Sequence, residues 1–157
     1  SELTSLFTNS NCIVVPNFSI SAILLMHLSE IATPYFSTIE IIEFHHNNKI
    51  DAPSGTALAT AEKISRNLTE DLRDPTTDLT LEGARGAKAQ GNIPIHSVRM
   101  EGMLAHQEVI FGSTGQTLTI RQDSSDRSSF MPGVLMAIKG IPNLAGVNIG
   151  LETLMDV

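Results

Sequence analysis

The sequence has little of several features on which common classes of protein depend. Its 157 residues include one cysteine, Cys12, which excludes an internal disulfide framework and a zinc site built from cysteines. Ten Lys and Arg stand against seventeen Asp and Glu, and the resulting net charge of −7 argues against nucleic acid as a partner. The longest apolar stretch, residues 20–26, is too short to span a membrane. These absences predict a cytoplasmic protein with no membrane or nucleic-acid partner.

Sequence frames for nucleotide and metal binding are missing as well. No Gly-x-Gly-x-x-Gly dinucleotide fingerprint occurs, and residues 53–56 (Pro-Ser-Gly-Thr) lack the Gly-x-x-x-x-Gly-Lys frame of a phosphate-binding loop. The adjacent His45 and His46 would point to opposite faces of a strand, so one ion could hardly bind both. The remaining histidines stand in unrelated contexts. We therefore expect no metal site.

The chain does contain enough apolar residues, 41% of the total, to bury the core of one ordinary domain. Periodicity predicts strands over residues 11–15, 39–44, 95–99, 106–111 and 117–121, and helices over residues 20–31, 57–68 and 128–139. The first helix would begin after a capping Ser19 and carry one stripe made of Ile20, Leu24, Leu28 and Ile31. The second would repeat Ala57, Leu58, Ala61, Ile64 and Leu68 at helical spacing.

Other segments connect these elements. Residues 112–116 suit the loop of a hairpin, and residues 71–93 form a long excursion of the kind that is commonly functional. The order of elements predicts an α+β fold, with a mixed, largely antiparallel sheet covered by helices. Residues 1–15 do not fit this order. They resemble the tail of a preceding α/β unit, with a helix end and a last strand that has no sheet of its own to join.

The most informative stretch covers residues 43–56, where two histidines, a lysine and a predicted helix start occur within a dozen residues. Histidine transfers protons near neutral pH, and Lys49 can pair with a carboxylate or lower the proton affinity of a neighbour. A helix start offers backbone N–H groups and a partial positive charge to an anion. A His-His pair alone is more often structural than catalytic. Together with the lysine and the helix start, it favours acid catalysis on a small dianion.

The same stretch resembles a known signature. Residues 45–57 match His-His-x-x-Lys-x-Asp-Ala-Pro-Ser-Gly-Thr-Ala, the pattern of dihydrodipicolinate reductases. Residues 15–19, 95–99, 105–111 and 126–130 look like further blocks of that family in the expected order. The resemblance covers essentially the whole chain. It implies an NADPH- or NADH-dependent oxidoreductase of lysine and diaminopimelate biosynthesis, a homotetramer that reduces (hydroxy)dihydrodipicolinate to tetrahydrodipicolinate.

The resemblance also implies a domain organisation in which a Rossmann nucleotide-binding domain comes first. We expect residues 1–18 to be the tail of that domain and a hinge. Residues 19–145 would form the substrate-binding, catalytic and oligomerisation domain. Residues 146–157 would return towards the nucleotide-binding domain.

Roles for individual residues follow from the resemblance in the same way. His45 would be the general acid, with Lys49 as its catalytic partner and a carboxylate contact. The expected substrate-binding residues are His46, Ser54, Gly55, Thr56 and Arg127. The expected contacts to the nicotinamide end of the cofactor are Val15, Pro16, Asn17 and Phe18.

Two departures from the family pattern bear on function. Gln122 stands where relatives often have histidine, and the dinucleotide fingerprint is absent. Two hypotheses follow. In the first, the chain is the substrate-binding and proton-donating half of the reductase. In the second, it is a catalytically inert dicarboxylate-binding and oligomerisation domain. The choice between NADH and NADPH stays open, because the residue that reads the ribose is not in this sequence.

Overall fold

A computed structural model describes residues 2–7 and 9–155. Its longer elements are α1 (Glu2–Leu6), β1 (Cys12–Val14), α2 (Ile20–Ala32), β2 (Thr38–His45), α3 (Gly55–Ser65), β3 (Ala87–Lys88), β4 (Pro94–Arg99), β5 (Ala105–Ser113), β6 (Gln116–Ser124), α4 (Met131–Gly140) and β7 (Val147–Ile149). Short 3-10 turns lie at Thr33–Tyr35, Gln90–Asn92, Arg127–Phe130, Ile141–Asn143 and Leu151–Leu154. The chain divides into two compact units, residues 25–125 and residues 1–24 with 126–157.

The larger unit is built on a five-stranded sheet in the order β3-β4-β2-β5-β6. Strand β2 runs parallel to β4 and antiparallel to β5, while the other pairs are antiparallel. The predicted α+β class, with a mixed and largely antiparallel sheet, is therefore confirmed. The predicted hairpin is also present, but its turn is shorter than expected, since Ser113 pairs with Gln116 and the loop is Thr114-Gly115. Gly115 has a φ of 77°, which glycine adopts without steric cost.

The core of the larger unit lies on one face of this sheet. Side chains alternate between faces along a strand, so Ile39 and Ile41 of β2 share a face with Val109 and Phe111 of β5, and all four are buried. From α3, the residues Ala57, Ala61 and Ile64 are buried as predicted.

The apolar stripes predicted for the first two long helices do not coincide with their buried faces. Leu28 and Ile31 of α2 are 47% and 54% exposed, and Leu58 of α3 also faces solvent. Ser29, among the residues of α2 that are buried instead, can lie inside because its hydroxyl donates to the carbonyl of Leu25 at 2.7 Å. Hydrophobicity alone therefore misplaced the inner face of this helix.

The long excursion is tied back onto itself rather than extended. The N–H of Leu72 donates to the carbonyl of Gly91 at 2.9 Å, and the Nδ2 of Asn92 donates to the carbonyl of Leu72 at 2.7 Å. Arg85 reaches Glu40 on β2 at 2.6 Å. The first two bonds join the ends of the excursion to each other, and the third ties its middle to the central strand of the sheet.

In the smaller unit, β1 pairs in parallel with β7 over residues 12–14 and 147–149. The N-terminal strand thus has a partner, contrary to expectation, and the partner comes from the end of the chain. Helix α4 follows the Arg127–Phe130 turn, where one continuous helix was predicted. A Cβ added to Gly133 of α4 would lie 2.1 Å from the carbonyl oxygen of Phe18, so only glycine permits this packing. The domain boundaries at residues 18 and 145 stay a prediction.

Among the described residues, no helix is long and apolar enough to cross a membrane.

Candidate active site

The candidate site lies where two parallel strands end. Strand β2 ends at His45 and its parallel neighbour β4 ends at Arg99, and these two residues are partners in the register. Because the two residues are partners in a parallel pair, their side chains lie on the same face of the sheet. They also lie at the same end of the sheet, where both strands have their carboxyl ends. The chain continues from β2 through residues 46–54 into α3, so the strand ends and the helix start belong to one short segment.

The start of α3 is capped by Ser54. Ser54 has extended backbone angles, and its hydroxyl oxygen accepts from the N–H of Ala57 at 3.2 Å. The hydroxyl of Ser54 is buried and used for capping. Gly55 is exposed, and a Cβ built on it would meet no atom within 4 Å. The structure thus leaves open space beside Gly55, the first residue of the helix.

Glu43 is the centre of the site, although the sequence signature does not include it. Its side chain is 0% exposed. Arg99 donates to both carboxylate oxygens, at 2.9 and 2.8 Å, and the Nδ1 of His45 lies 2.5 Å from Oε2. The backbone N–H of Ser54 donates to Oε1 at 3.3 Å. One buried carboxylate therefore joins β2, β4 and the turn before α3.

The electrostatics of this carboxylate follow from its donors. Burial raises the pKa of Glu43, but hydrogen bonds from Arg99, Ser97 and His45 more than offset the burial and hold the pKa below its ordinary value. Glu43 is therefore ionised at neutral pH, and its charge is matched by the guanidinium of Arg99.

The environment of His45 makes its imidazolium a stronger acid than usual. Burial lowers the pKa of His45, the hydrogen bond and the charge of Glu43 raise it, and the charges of Lys49 and Arg99 lower it, with a net lowering. With its Nδ1 directed at Glu43, the ring uses Nε2 for any other proton transfer.

Lys49 lies in the turn that follows β2. Its backbone N–H donates to the carbonyl of His46 at 3.1 Å, and its ammonium lies 2.7 and 2.8 Å from the two carboxylate oxygens of Asp51. The hydrogen bond to Lys49 is the main reason why the pKa of Asp51 is lowered. The sequence named Lys49 as the partner of His45. In the structure the ring is hydrogen-bonded to Glu43, and Lys49 acts on His45 through its charge.

The structure therefore joins His45 and Ser54 through Glu43 and places the charge of Lys49 near the ring, while His46, Gly55 and Thr56 lie in the same segment of the larger unit, residues 45–56. The other predicted residues belong to the smaller unit. Arg127 is exposed at the start of the 3-10 turn Arg127–Phe130, which Asp126 caps by accepting from the N–H of Ser128 at 2.8 Å. Val15, Pro16, Asn17 and Phe18 form the connection between the carboxyl end of β1 and α2. Their roles in binding stay predictions.

Glu43 and Arg99 are the site residues that sequence reasoning missed. A signal for Glu43 was present, since it follows Ile39 and Ile41 at a spacing of two and so occupies a core position of the strand. A charged residue at a core position is rarely unpaired. No comparable signal exists for Arg99, whose place depends on β4 lying beside β2.

Gln122, the position where the family pattern often has histidine, is buried on β6. Its Nε2 donates to the carbonyl of Ala105 on β5 at 3.4 Å. In the part of the chain that the structure describes, no group of three or more His, Cys, Asp or Glu side chains is arranged to hold a metal ion.

Comparisons with known proteins agree with one another. The family model described as "Dihydrodipicolinate reductase, C-terminus" matches residues 21–157. The 4-hydroxy-tetrahydrodipicolinate reductase of Corynebacterium urealyticum is 55% identical over 148 residues, which cover 92% of this chain and 59% of that protein. The same-named protein of Mycolicibacterium smegmatis is 50% identical over 94% of this chain and 60% of its own length. A solved structure, "Dipicolinate bound Dihydrodipicolinate reductase from Paenisporosarcina sp. TG-14", has a TM-score of 0.84 and 47% identity, covering 93% of this chain and 55% of that one.

Proposed function

The chain belongs to the dihydrodipicolinate reductase family, whose C-terminal part it matches, and we propose that it supplies the substrate-binding and proton-donating half of such an enzyme. The proposed reaction is the reduction of (hydroxy)dihydrodipicolinate to tetrahydrodipicolinate with NADPH or NADH, in the synthesis of diaminopimelate and lysine. The chain spans about 60% of the length of the curated relatives it matches. The activity, the substrate and the partners of the whole protein are therefore part of the proposal.

The observation that carries the proposal is a histidine held beside an open helix start. The Nδ1 of His45 is fixed by Glu43 at 2.5 Å, while Gly55 at the first turn of α3 faces open space. A small dicarboxylate needs positive partial charge for its carboxylates and a proton donor near its ring. Both are provided within eleven residues of sequence, from His45 to Gly55. The related reductase from Paenisporosarcina was solved with dipicolinate bound, and dipicolinate is a dianion of this kind.

In this proposal His45 is the general acid. The protonated ring gives the proton on Nε2 to the substrate ring and keeps the proton on Nδ1, which stays hydrogen-bonded to Glu43. A substrate dianion beside the ring raises the pKa of His45, because negative charge favours the imidazolium. His45 would therefore gain its proton on binding and lose it during the reaction.

The remaining site residues would bind and orient the substrate. Gly55 and Thr56 would receive one substrate carboxylate at the helix start, with Ser54 fixing the turn by its cap. His46 would hold the substrate, and Lys49 would contact a carboxylate by giving up part of its bond to Asp51.

The residues from Val15 to Phe18 fit a contact to the nicotinamide end of a cofactor. They follow the carboxyl end of β1, whose partner β7 is parallel, and ligands of open parallel sheets bind beyond such strand ends. When bound, a reduced nicotinamide supplies a hydride. The packing of Gly133 against the Phe18 carbonyl holds this connection in place. Arg127 of the same unit would be a further substrate contact.

The role of His45 can be tested in a protein that joins this chain to a nucleotide-binding half. We expect His45→Gln to lower kcat by about two to four orders of magnitude, the usual contribution of a general acid. His96→Gln is a matched control, because His96 is also hydrogen-bonded to a glutamate but lies on the opposite face of the sheet. A change in KM alone for His45→Gln would contradict the assignment.

The open space at Gly55 allows a separate test of the carboxylate site on the 157-residue chain. Alanine fits at Gly55 without contacts, so Gly55→Ala should leave stability unchanged or slightly higher. Because the added methyl group occupies the space above the helix start, binding of dipicolinate should weaken by at least tenfold. Calorimetric titration of the wild-type chain and of Gly55→Ala with dipicolinate measures the two affinities. Equal affinity for the two chains would place the carboxylate elsewhere.

We also propose that the open face of the sheet associates with other copies of the chain into a tetramer. Ile42 and Phe44 of β2, Val98 of β4 and Ile110 of β5 share the face opposite the core and are only half-buried. Light scattering on the purified chain should give four times the monomer mass, and a monomer at micromolar concentration would refute this. For the 157 residues by themselves, which lack the dinucleotide fingerprint, we propose binding and assembly without oxidation of NADPH.

A further inference from the structure

The buried pair of Glu43 and Arg99 has no place in the signature motif, yet His45 depends on it. Arg99 lies on β4 and forms a two-pronged ion pair with Glu43, and its Nη2 also donates to the carbonyl of Asp51 at 2.8 Å. Removing a carboxylate from water costs several kcal/mol unless its partners replace the water. Arg99 provides two of the hydrogen bonds to Glu43 and ties the loop carrying Lys49 to the same pair.

The geometry assigns distinct uses to the two nitrogens of the ring. An ionised carboxylate can only accept, so Glu43 requires a proton on the Nδ1 of His45. In the neutral ring Nε2 is then without a proton, and in the protonated ring Nε2 carries the proton that can leave. The proton on Nδ1 stays in place throughout, and Glu43 remains ionised before and after the transfer.

The charge of Arg99 determines how strongly Glu43 stabilises the protonated ring of His45, and hence how readily Nε2 gives up its proton. A lone buried carboxylate at 2.5 Å would stabilise the imidazolium and make His45 a poor acid. With Arg99 bound to both oxygens, much of that negative charge is balanced, and burial together with the charges of Lys49 and Arg99 outweighs the raising effect of Glu43, so that the pKa of His45 is lowered. Glu43 can therefore orient the ring without retaining the proton that the reaction needs.

We infer that Glu43 and Arg99 are positioning residues for proton transfer. Glu43 fixes the ring orientation and the tautomer of His45, and Arg99 keeps Glu43 ionised while its positive charge balances the negative charge of the carboxylate. This inference rests on the proposed role of His45 as the acid. Among the described residues, the charge of Lys49 also acts on the ring, and Lys49 is itself paired with the carboxylate of Asp51.

A purely structural ion pair would hold β2, β4 and the start of α3 together without selecting a tautomer. Nuclear magnetic resonance of the 15N-labelled 157-residue chain separates the two cases, because two-bond proton–nitrogen spectra report which ring nitrogen carries the proton. We expect neutral His45 to be protonated on Nδ1. Protonation on Nε2 in the folded wild-type chain would overturn the inference.

The variant Glu43→Gln tests the charge. It keeps an acceptor for Nδ1 but leaves Arg99 uncompensated, so the pKa of His45 should fall by about one unit or more, a tenfold change in proton affinity. Glu40→Gln is the matched control on the same strand, and it should leave the titration of His45 unchanged. A folded Glu43→Gln chain with an unaltered His45 titration would overturn the inference.

If Glu43→Gln does not fold, Glu43→Asp provides the test, since it keeps the charge opposite Arg99 and withdraws the carboxylate by one methylene. Neutral His45 should then become a mixture of the two tautomers, and a persisting single Nδ1-protonated form would overturn the inference. These experiments need no ligand. Failure of dipicolinate to bind a chain with the expected tautomer would count against the proposed function alone.

Discussion

The two faces of β2 carry the same chemistry in different environments. On the core face, Glu43 binds His45 and Arg99. On the opposite face, Glu40 binds a histidine of β4 and an arginine of the long excursion, at 2.7 and 2.6 Å. The Glu43 side chain is 0% exposed, whereas that of Glu40 is 30% exposed.

The comparison shows that burial, not residue type, separates a candidate active site from a surface ion pair. In a single copy of the chain, water screens the charges around Glu40, and ion pairs of this kind contribute little to stability. Glu43 has no water to replace its partners, so its donors must be held in fixed positions. The buried pair therefore fixes the geometry around His45, while the exposed pair mainly fastens the excursion to the sheet.

Removing each carboxylate should give the largest difference between the two faces. Glu43→Ala leaves the guanidinium of Arg99 without its buried partner, and we expect a loss of about 3–5 kcal/mol in unfolding free energy. Glu40→Ala should cost about 1 kcal/mol or less. Urea denaturation of both variants measures these values, and equal losses would show that burial does not distinguish the pairs.

Lowering the pH should reduce the stability that His45 and Glu43 contribute on the core face of β2. The pKa of His45 is lowered by its burial, so the unfolded chain takes up this proton before the folded chain as the pH falls below about 6.5. The pKa of Glu43 is also held below its usual value in spite of burial, because of its donors, so its stabilisation is present above about 4.5 and is lost as the pH falls further.

Unfolding free energy measured between pH 7 and pH 4 should therefore decrease with falling pH. In His45→Gln, the part of the decrease just below pH 6.5 should disappear. His96→Gln should retain it. A decrease that is the same in all three chains would assign the acid sensitivity to other groups.

The capping of α3 should contribute less than the ion pair it touches. Ser54→Ala removes the acceptor for the N–H of Ala57 but keeps the backbone N–H that donates to Glu43, so we expect a loss of about 1 kcal/mol. Ser65→Ala, near the other end of the helix, serves as a control with little expected effect. A Ser54→Ala loss as large as that of Glu43→Ala would mean that the cap, not the carboxylate, fixes the helix start.

Salt should have the smallest effect and should act on the exposed face. Raising ionic strength from about 0.05 to 0.5 M shortens the screening length to a few ångströms. The contribution of Glu40, measured as the difference between wild type and Glu40→Ala, should fall by a few tenths of a kcal/mol, while that of Glu43 should change less. A larger salt effect on the Glu43 difference would contradict the burial argument.

The parts of the structure that depend on local pattern could be predicted from sequence. The strand alternation around Ile41, the cap at Ser54 and the hairpin before Gln116 are local features, and the signature at residues 45–57 located the histidines and the helix start. Features that depend on long-range pairing could not be predicted. The partner of β1 comes from the other end of the chain, and Arg99 reaches Glu43 only because β4 lies parallel to β2.

The interior face of α2 shows a second kind of failure. Apolar residues such as Leu28 suggested the inner stripe, but the helix buries Ser29 and Thr33, whose hydroxyls bond to carbonyls of the preceding turn. Glu43 could be predicted in part. Its spacing from Ile41 marked it as a core residue, but its partners could only be known from the fold.

The most direct test of the proposed site is whether dicarboxylate binding protonates His45. Calorimetric titration of the 157-residue chain with dipicolinate, in buffers of different ionisation enthalpy at pH 7.5, measures proton uptake on binding. We predict a net uptake of protons, since a bound dianion raises the pKa of His45, and we predict that uptake vanishes in His45→Gln and persists in His96→Gln. Binding without proton uptake, or uptake that survives His45→Gln, would contradict the proposed role of His45.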